Sequence, residues 1–253
     1  MLVIFMDKKR IAVIIPLYNP PALWEGNCIE HIIAIIELYS QYSFYFVFVN
    51  DSPKNILNKK IVTLLTTFKI EYKILTLKKH LGKGMALKVG VREVRADYYL
   101  CIDWDFPFGI IVLQDIISKL EKGANVVTIN RGKKYLTQLP LLRSSLTMIW
   151  RLFINRIVKL DINDTQSGLK GFDNVGKKLF LQAFTNSFLH DLEFIYLCRE
   201  NNLSLAVVEA SARPGLQFTN FSLKVYLNEL RSLYHLFYYY SLKRKTRLKR
   251  EIA

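Results

Sequence analysis

Short apolar runs alternate with stretches of helical periodicity through the first half of the chain. Residues 11–15 (IAVII) form a continuous, largely β-branched run, which is typical of a strand buried on both faces. Residues 30–42 follow, with Ile32, Ile35 and Tyr39 on one face of a predicted helix. The same reasoning predicts further strands over 44–49, 72–77, 97–102 and 126–130, and further helices over 58–68, 84–95 and 111–122.

This alternation predicts an α/β fold with a mostly parallel central sheet flanked by helices. In such sheets, ligands bind beyond the carboxyl ends of the strands. Polar segments follow three of the predicted strands at that edge, over residues 16–19, 50–51 and 103–105. The sequence therefore predicts one ligand site on this rim.

The second half of the chain is patterned differently. Residues 139–159 predict an amphipathic helix whose arginines, Arg143 and Arg151 among them, lie off its apolar stripe. Such a helix can pack into a core or lie in a membrane interface with its arginines on lipid phosphates. The remaining predictions are a polar loop or short strand over 161–172, helices over 188–201 and 222–242, a strand over 204–209, and a basic tail over 243–250.

Composition and charge narrow the class of protein. The chain has 253 residues, of which 51% are hydrophobic, so a disordered chain is excluded. Its net charge of +15 indicates an anionic partner, either a nucleic acid, a phosphorylated ligand or an acidic lipid surface. No nucleic-acid docking motif is present. Scattered cysteines, no recognisable signal peptide and no charge-free window of spanning length predict a cytoplasmic protein, peripheral at the inner face of a membrane.

Two carboxylates, Asp103 and Asp105, close the strand predicted over 97–102. Two like charges at the exit of a buried strand are costly unless a cation lies between them. Mg²⁺ or Mn²⁺ carrying a nucleotide diphosphate fits, because both metals prefer oxygen ligands. An ordinary solvated turn is the alternative reading of the same pattern.

Seven segments, in order, resemble family 2 glycosyltransferases, and most closely the branch that makes polyprenyl-phosphate sugars, such as the dolichyl-phosphate glucose and mannose synthases. They are IAVIIPLYNP, VFVNDSP, LGKGMALKVGV, YYLCIDWD, INRGKK, DTQSGLKGF and FLHDLEF. The resemblance covers residues 10–225. It implies a GT-A-type catalytic domain over residues 1–225, followed by an amphipathic helix and basic tail over 226–253.

The resemblance also implies an activity. The protein is expected to move a sugar from a UDP- or GDP-sugar to a polyprenyl phosphate, with inversion at the anomeric carbon and with Mg²⁺ or Mn²⁺ as cofactor. Alternatives are an enzyme of the same class that acts on a sugar hydroxyl in polysaccharide or lipopolysaccharide synthesis, and a relative that binds nucleotide sugars without turnover. A hydroxyl acceptor requires a base, for which Asp191 is the candidate.

The family motifs assign roles to particular residues of this chain. Asp103 and Asp105 are the implied metal ligands, with Asp105, Arg131 and Asp191 in the catalytic group. Nucleotide-sugar contacts are implied for Pro16, Tyr18, Asn19, Asp51, Lys83, Asp103 and Trp104, with Tyr18 against the base. Sugar or acceptor contacts are implied for Asp164, Gln166, Ser167, Gly168, Arg143 and Arg151.

The chain departs from the family pattern at several positions. Asn50 stands where the family has the first of two acidic residues, and Pro107 stands where the lipid-phosphate branch often has a metal-binding glutamine. Ser167 replaces a cysteine, and Trp104 is larger than the usual residue between the aspartates. These departures leave the nucleobase and the strength of metal binding open.

Overall fold

A seven-stranded sheet forms the centre of the computed structural model, which describes residues 8–53, 59–131, 167–187, 189–213, 231–234, 236 and 238–240. The strands are β1 Arg10–Leu17, β2 Ser43–Asn50, β3 Tyr72–Thr76, β4 Tyr98–Cys101, β5 Val126–Asn130, β6 Lys170–Phe172 and β7 Leu205–Glu209. The helices are α1 Trp24–Leu38, α2 Lys59–Thr67, α3 Lys83–Arg92, α4 Val112–Glu121, α5 Asn174–Gln182 and α6 His190–Glu200. Described residues between 231 and 240 are also helical.

The strand order is β3-β2-β1-β4-β6-β5-β7, and every neighbouring pair is parallel except those made by β6. Strand β6 runs antiparallel to both β4 and β5, with Lys170 opposite Cys101 and Thr128. An antiparallel strand begins where its neighbours end. The residues just before β6 therefore lie at the same rim as the carboxyl ends of β1, β2, β4 and β5.

Both faces of the sheet are covered by apolar cores, as the continuous apolar strands predict. On β1, Ile11, Val13 and Ile15 pack toward α1, α2 and α4, whereas Ala12 and Ile14 pack toward α3, α5 and α6. All five of these β1 side chains are fully buried. The core on the second face also takes in Leu233 and Leu236 from the helical residues near the carboxyl end.

The structure confirms the predicted mostly parallel α/β fold and differs from the prediction at three places. Helix α1 begins at Trp24 rather than residue 30, because Trp24, Cys28 and Ile29 add a buried turn that the intervening Gly26 and Asn27 disguise. Strand β1 continues through Pro16, which pairs with Val49.

Helix α5 was not predicted. Its local signal is Asp173, whose Oδ1 accepts hydrogen bonds from the amides of Val175 and Gly176 at 2.8 Å each, as an N-cap does. Gly176 lies against Phe172 and the carbonyl of Asn125, so the helix packs closely on β5 and β6.

The predicted helix over 139–159 and the basic tail over 243–250 lie outside the described residues. Within the described part of the chain, no helix combines the length and hydropathy that crossing a membrane requires.

Candidate functional site

An ion pair between Lys83 and Asp103 lies at the centre of the rim. Lys83 is the first residue of α3, Asp103 follows β4, and Lys83 Nζ lies 2.6 Å from Asp103 Oδ1. Burial disfavours the charge on Lys83, but the carboxylates of Asp103 and Asp191 outweigh it and raise the pKa of the lysine. Lys83 therefore remains a cation at the rim.

Gly168 lies directly against this ion pair. A Cβ atom built on Gly168 would collide with Asp103 Oδ2 and come within 2.9 Å of Lys83 Nζ. A side chain here would displace one partner of the pair, so glycine is required by close approach rather than by backbone conformation. The predicted Asp103, Lys83 and Gly168 are thus brought together by the fold.

Asp105 lies beside this centre in an unfavourable setting for a carboxylate. Burial, and then the neighbouring charge of Asp103, raises the pKa of Asp105. Arg213 secures the backbone here, because its Nη2 donates to the Asp105 carbonyl and its amide donates to the Pro107 carbonyl at 2.8 Å.

His31 holds Arg213 from the other side. Its Nδ1 lies 2.7 Å from the carbonyl of Asn27, an acceptor, so Nδ1 carries the hydrogen. The other ring nitrogen, Nε2, then accepts from Arg213 Nη1 at 2.8 Å. The imidazole also stacks on Phe106 with ring centroids 4.9 Å apart. Arg213 and His31 therefore fix the segment that carries Asp105.

The donor set at this rim fits a divalent cation that arrives with a diphosphate. Burial disfavours the ionised form of Asp105, and Lys83 is bonded to only one of the two oxygens of Asp103, Oδ1. In the described part of the chain, no three His, Cys, Asp or Glu side chains converge to hold a metal by themselves. Mg²⁺ commonly binds through one or two carboxylates, with substrate phosphates and waters completing the shell.

Asp191 belongs to a second, deeper ion pair. Its Oδ1 lies 3.0 Å from Nζ of Lys170, whose side chain is fully buried. Lys170 also donates to the carbonyl of Ser167. Asp191 is the second residue of α6, and it contributes to the raised pKa of Lys83, so the deeper pair borders the first.

Tyr18, Asn19 and Asp51 form a separate group at the ends of β1 and β2. The amide of Asn19 donates to Ser52 Oγ at 2.8 Å. Asp51 is 2% exposed and accepts hydrogen bonds from the amides of Leu81 and Gly82 at 2.7 and 2.9 Å. This group thus connects the β1 and β2 ends to the loop that leads into Lys83.

The structure also gives the places of the remaining predicted residues that it describes. Trp104 is partly buried and packs edge-on against Trp24 with ring centroids 6.2 Å apart, on the α1 side of the sheet. Pro16 lies within β1, the Ser167 side chain is fully buried, and Arg131 is partly buried just after β5. Asp164, Gln166, Arg143 and Arg151 lie outside the described residues.

Sequence reasoning missed Lys170, His80, His31 and Arg213. A lysine inside the short apolar segment LKGF was the available signal for Lys170, because a fully buried lysine requires a partner charge. For the other three, the sequence offers no comparable signal, since their contacts connect segments that are far apart in the chain.

The fold is that of the GT-A class of proteins. Among solved structures, mannosyl-3-phosphoglycerate synthase from Rubrobacter xylanophilus superposes with a TM-score of 0.65 at 16% identity, over 94% of this chain and 75% of that chain. Glucosyl-3-phosphoglycerate synthase from Mycobacterium tuberculosis, in complex with UDP, gives 0.58 at 17% identity, over 85% and 74%. The Pyrobaculum calidifontis mannosyltransferase PcManGT, in complex with GDP-Man and Mn²⁺, gives 0.53 at 11%, over 81% and 57%. At these identities the likeness shows the fold alone.

The sequence itself gives the family. The model of glycosyl transferase family 2 matches residues 12–178, and the protein belongs to that family. A dolichyl-phosphate beta-glucosyltransferase of Dictyostelium discoideum is 25% identical over 217 residues, which are 80% of this chain and 66% of that protein. CsbB of Bacillus subtilis is 25% identical over 162 residues, which are 63% of this chain and 46% of that protein. The chain thus matches less than two thirds of the length of either relative.

Proposed function

We propose that this glycosyltransferase moves a sugar from a nucleotide-diphosphate sugar to a polyprenyl phosphate at a membrane surface. The observation that carries the proposal is the pair of neighbouring ion pairs at the rim, in which Lys83 is bonded to Asp103 and Lys170 to Asp191. The similarity to a dolichyl-phosphate beta-glucosyltransferase supports this choice of acceptor. The charge of +15 supports an anionic membrane surface as partner.

Lys83 would act on the leaving diphosphate. As the bond to the sugar breaks, negative charge grows on the diphosphate while the anomeric carbon becomes cationic. Lys83 is held at the amino end of α3, where the helix dipole also favours anions. Because Asp103 already holds Lys83 in place, the lysine can stabilise the growing negative charge without moving during the reaction.

Asp105 and Asp103 are the residues that would hold the metal. Bound there with the diphosphate, Mg²⁺ or Mn²⁺ would supply Lewis-acid stabilisation of the leaving group. Arg213 and His31 keep the Asp105 segment in place through the Asp105 and Pro107 carbonyls.

The surroundings of Asp191 favour a phosphate acceptor over a hydroxyl. A hydroxyl must lose its proton to a base, and Asp191 is 6% exposed with an oxygen on Lys170. One oxygen of Asp191 is thus already bonded to Lys170, and the carboxylate has little exposed surface from which to reach a hydroxyl. A phosphate oxygen is ionised already and needs no base, so direct attack on the anomeric carbon would proceed with inversion.

The test is a transfer assay with radiolabelled UDP-glucose, GDP-mannose and UDP-GlcNAc, each with polyprenyl phosphate in detergent and with Mg²⁺ or Mn²⁺. We expect one donor to give an organic-extractable, acid-labile product, which EDTA should abolish. The transfer rate should fall by about 100-fold or more in Asp105→Asn. Glu121→Gln removes one exposed carboxylate, 3.7 Å from Lys9, and serves as the matched control with unchanged activity.

The outcomes separate the alternatives. Transfer to a glycan hydroxyl but not to polyprenyl phosphate would reassign the acceptor. Donor binding without transfer to either acceptor would identify a non-catalytic nucleotide-sugar-binding protein. Full activity in Asp105→Asn would contradict the metal-binding role of that residue.

A further inference from the structure

The rings of Tyr18 and His80 lie against each other at the rim. Their centroids are 4.4 Å apart and the planes are inclined by 34°. Tyr18 is 52% exposed and the His80 side chain is 49% exposed, so neither ring is held by the apolar core. Tyr18 therefore presents a ring to solvent while it rests on a second ring from the loop before α3.

His80 is fixed in turn by Asp51. Its Nδ1 lies 2.9 Å from Asp51 Oδ2 and 3.3 Å from the Asp51 carbonyl. Both neighbours are acceptors, so Nδ1 carries a hydrogen and the ring orientation is set. The carboxylate also accepts from the Leu81 and Gly82 amides, and three of its roughly four acceptor positions are thereby used within the protein.

We infer that His80, held in place by Asp51, is a positioning residue for nucleotide binding, which supports Tyr18 as a stacking surface for the base. The inference rests on the proposed function, in that the site receives a nucleoside diphosphate. An exposed tyrosine loses rotamer freedom when a base stacks on it. A ring already seated on a fixed imidazole has less freedom to lose, so binding is stronger.

The experiment measures binding of UDP, GDP and inorganic pyrophosphate by calorimetry in Mg²⁺, with Tyr18→Ala, His80→Ala, His80→Phe and the double variant Tyr18→Ala/His80→Ala. We expect Tyr18→Ala to weaken the preferred nucleotide about tenfold or more and His80→Ala about fivefold. His80→Phe keeps a flat ring beneath Tyr18 but loses the hydrogen bond to Asp51, so its affinity should lie between those of His80→Ala and the wild type. The double variant should match Tyr18→Ala, because His80 acts through that ring.

Pyrophosphate and a matched variant provide the controls. Pyrophosphate has no base, so its affinity should be the same in all variants. Phe68→Ala deletes a ring that is 51% exposed at the end of α2, comparable to Tyr18, and should leave nucleotide binding unchanged.

Two failures are distinguishable. If the wild type binds none of the three ligands, the proposed function falls and the inference with it. Three results would overturn the inference alone, with nucleotide binding intact in the wild type. His80→Ala could leave nucleotide affinity unchanged, or the double variant could lose more affinity than Tyr18→Ala does. The third result is a loss of pyrophosphate affinity in His80→Ala as large as its loss of nucleotide affinity.

Discussion

His190, the first residue of α6, is a buried histidine in an apolar setting. It is 1% exposed, its ring meets Phe180 edge-on with centroids 4.5 Å apart, and its Cβ lies against Gly84. Neither ring nitrogen makes a hydrogen bond of good geometry within the described part of the chain. Burial lowers the pKa of His190 from 6.5 to about 4. The side chain is therefore neutral in the folded protein at neutral pH.

This residue predicts an acid-dependent loss of stability. The unfolded chain takes up a proton near pH 6.5 while the folded chain resists until about pH 4, so the unfolded state is favoured as pH falls through this interval. At the lower end of this pH interval, His190 should account for roughly 2–3 kcal/mol of the lost free energy of unfolding. His190→Phe keeps the edge-on ring contact and should reduce the loss by that amount in urea denaturation at several pH values. An unchanged loss in this variant would assign the acid sensitivity to other groups.

At the scale of elements, the loop over 183–186, which follows α5 in the chain, makes hydrogen bonds to both α3 and α6. Lys88 on α3 donates to the carbonyls of Ala183 and Thr185 at 2.9 and 3.2 Å. Glu193 on α6, fully buried, accepts from the Thr185 amide at 2.8 Å. The carbonyl of Asn186 accepts from the amide of Gly84, next to Lys83, at 2.9 Å. The loop thus supports the amino end of α3, where the site lies.

Glu193 also ties the helical residues near the carboxyl end to this support. Tyr240 OH donates to Glu193 Oε1 at 2.7 Å. In Tyr240→Phe the carboxylate keeps its loop donors, so unfolding free energy should fall by about 1 kcal/mol. Glu193→Leu leaves those donors unpaired in the interior and should cost roughly 3 kcal/mol.

Urea denaturation measures both changes. Tyr239→Phe, in which the ring is 49% exposed, is the matched control and should leave stability unchanged. Equal losses in Tyr239→Phe and Tyr240→Phe would show that the hydrogen bond to Glu193 contributes no more than an exposed hydroxyl does.

At the scale of the whole molecule, the charge of +15 predicts how the protein meets a membrane. It should sediment with anionic vesicles, bind neutral vesicles weakly, and dissociate as salt increases, because ionic screening shortens the range of the attraction. Arg143→Ala/Arg151→Ala removes two charges from the amphipathic helix predicted over 139–159 and should weaken vesicle binding about 30-fold, at about 1 kcal/mol per charge.

Lys119→Ala/Lys122→Ala makes the same change in charge at the end of α4 and is the control. If both double variants weaken binding equally, net charge rather than the helix over 139–159 determines the association. If the protein bound neutral vesicles as tightly as anionic ones, the prediction that electrostatic attraction drives the association would be wrong.

Most of the fold was predictable because its signals are local. The β-branched run in β1, the helical spacing of Ile32 and Ile35, and the aspartates after β4 each require only a short window of sequence. The site was predictable in part: Lys83, Asp103 and Gly168 do meet, and Asp51 lies at the end of β2. Trp104 could not be assigned from sequence, since its contact with Trp24 crosses the space between the β4 end and α1.

By itself, the sequence determined most of the strands and helices, though not α5, together with the acidic and basic residues at the strand ends and membership of glycosyl transferase family 2. Only the tertiary structure decided that β6 runs antiparallel, and so brings Gly168 against Asp103 and Lys170 against Asp191. It also decided that His80 lies between Asp51 and Tyr18. The reason is physical: hydrophobic period and turn chemistry are properties of neighbouring residues, whereas strand order, direction and charge pairing depend on segments that meet only when the two cores close.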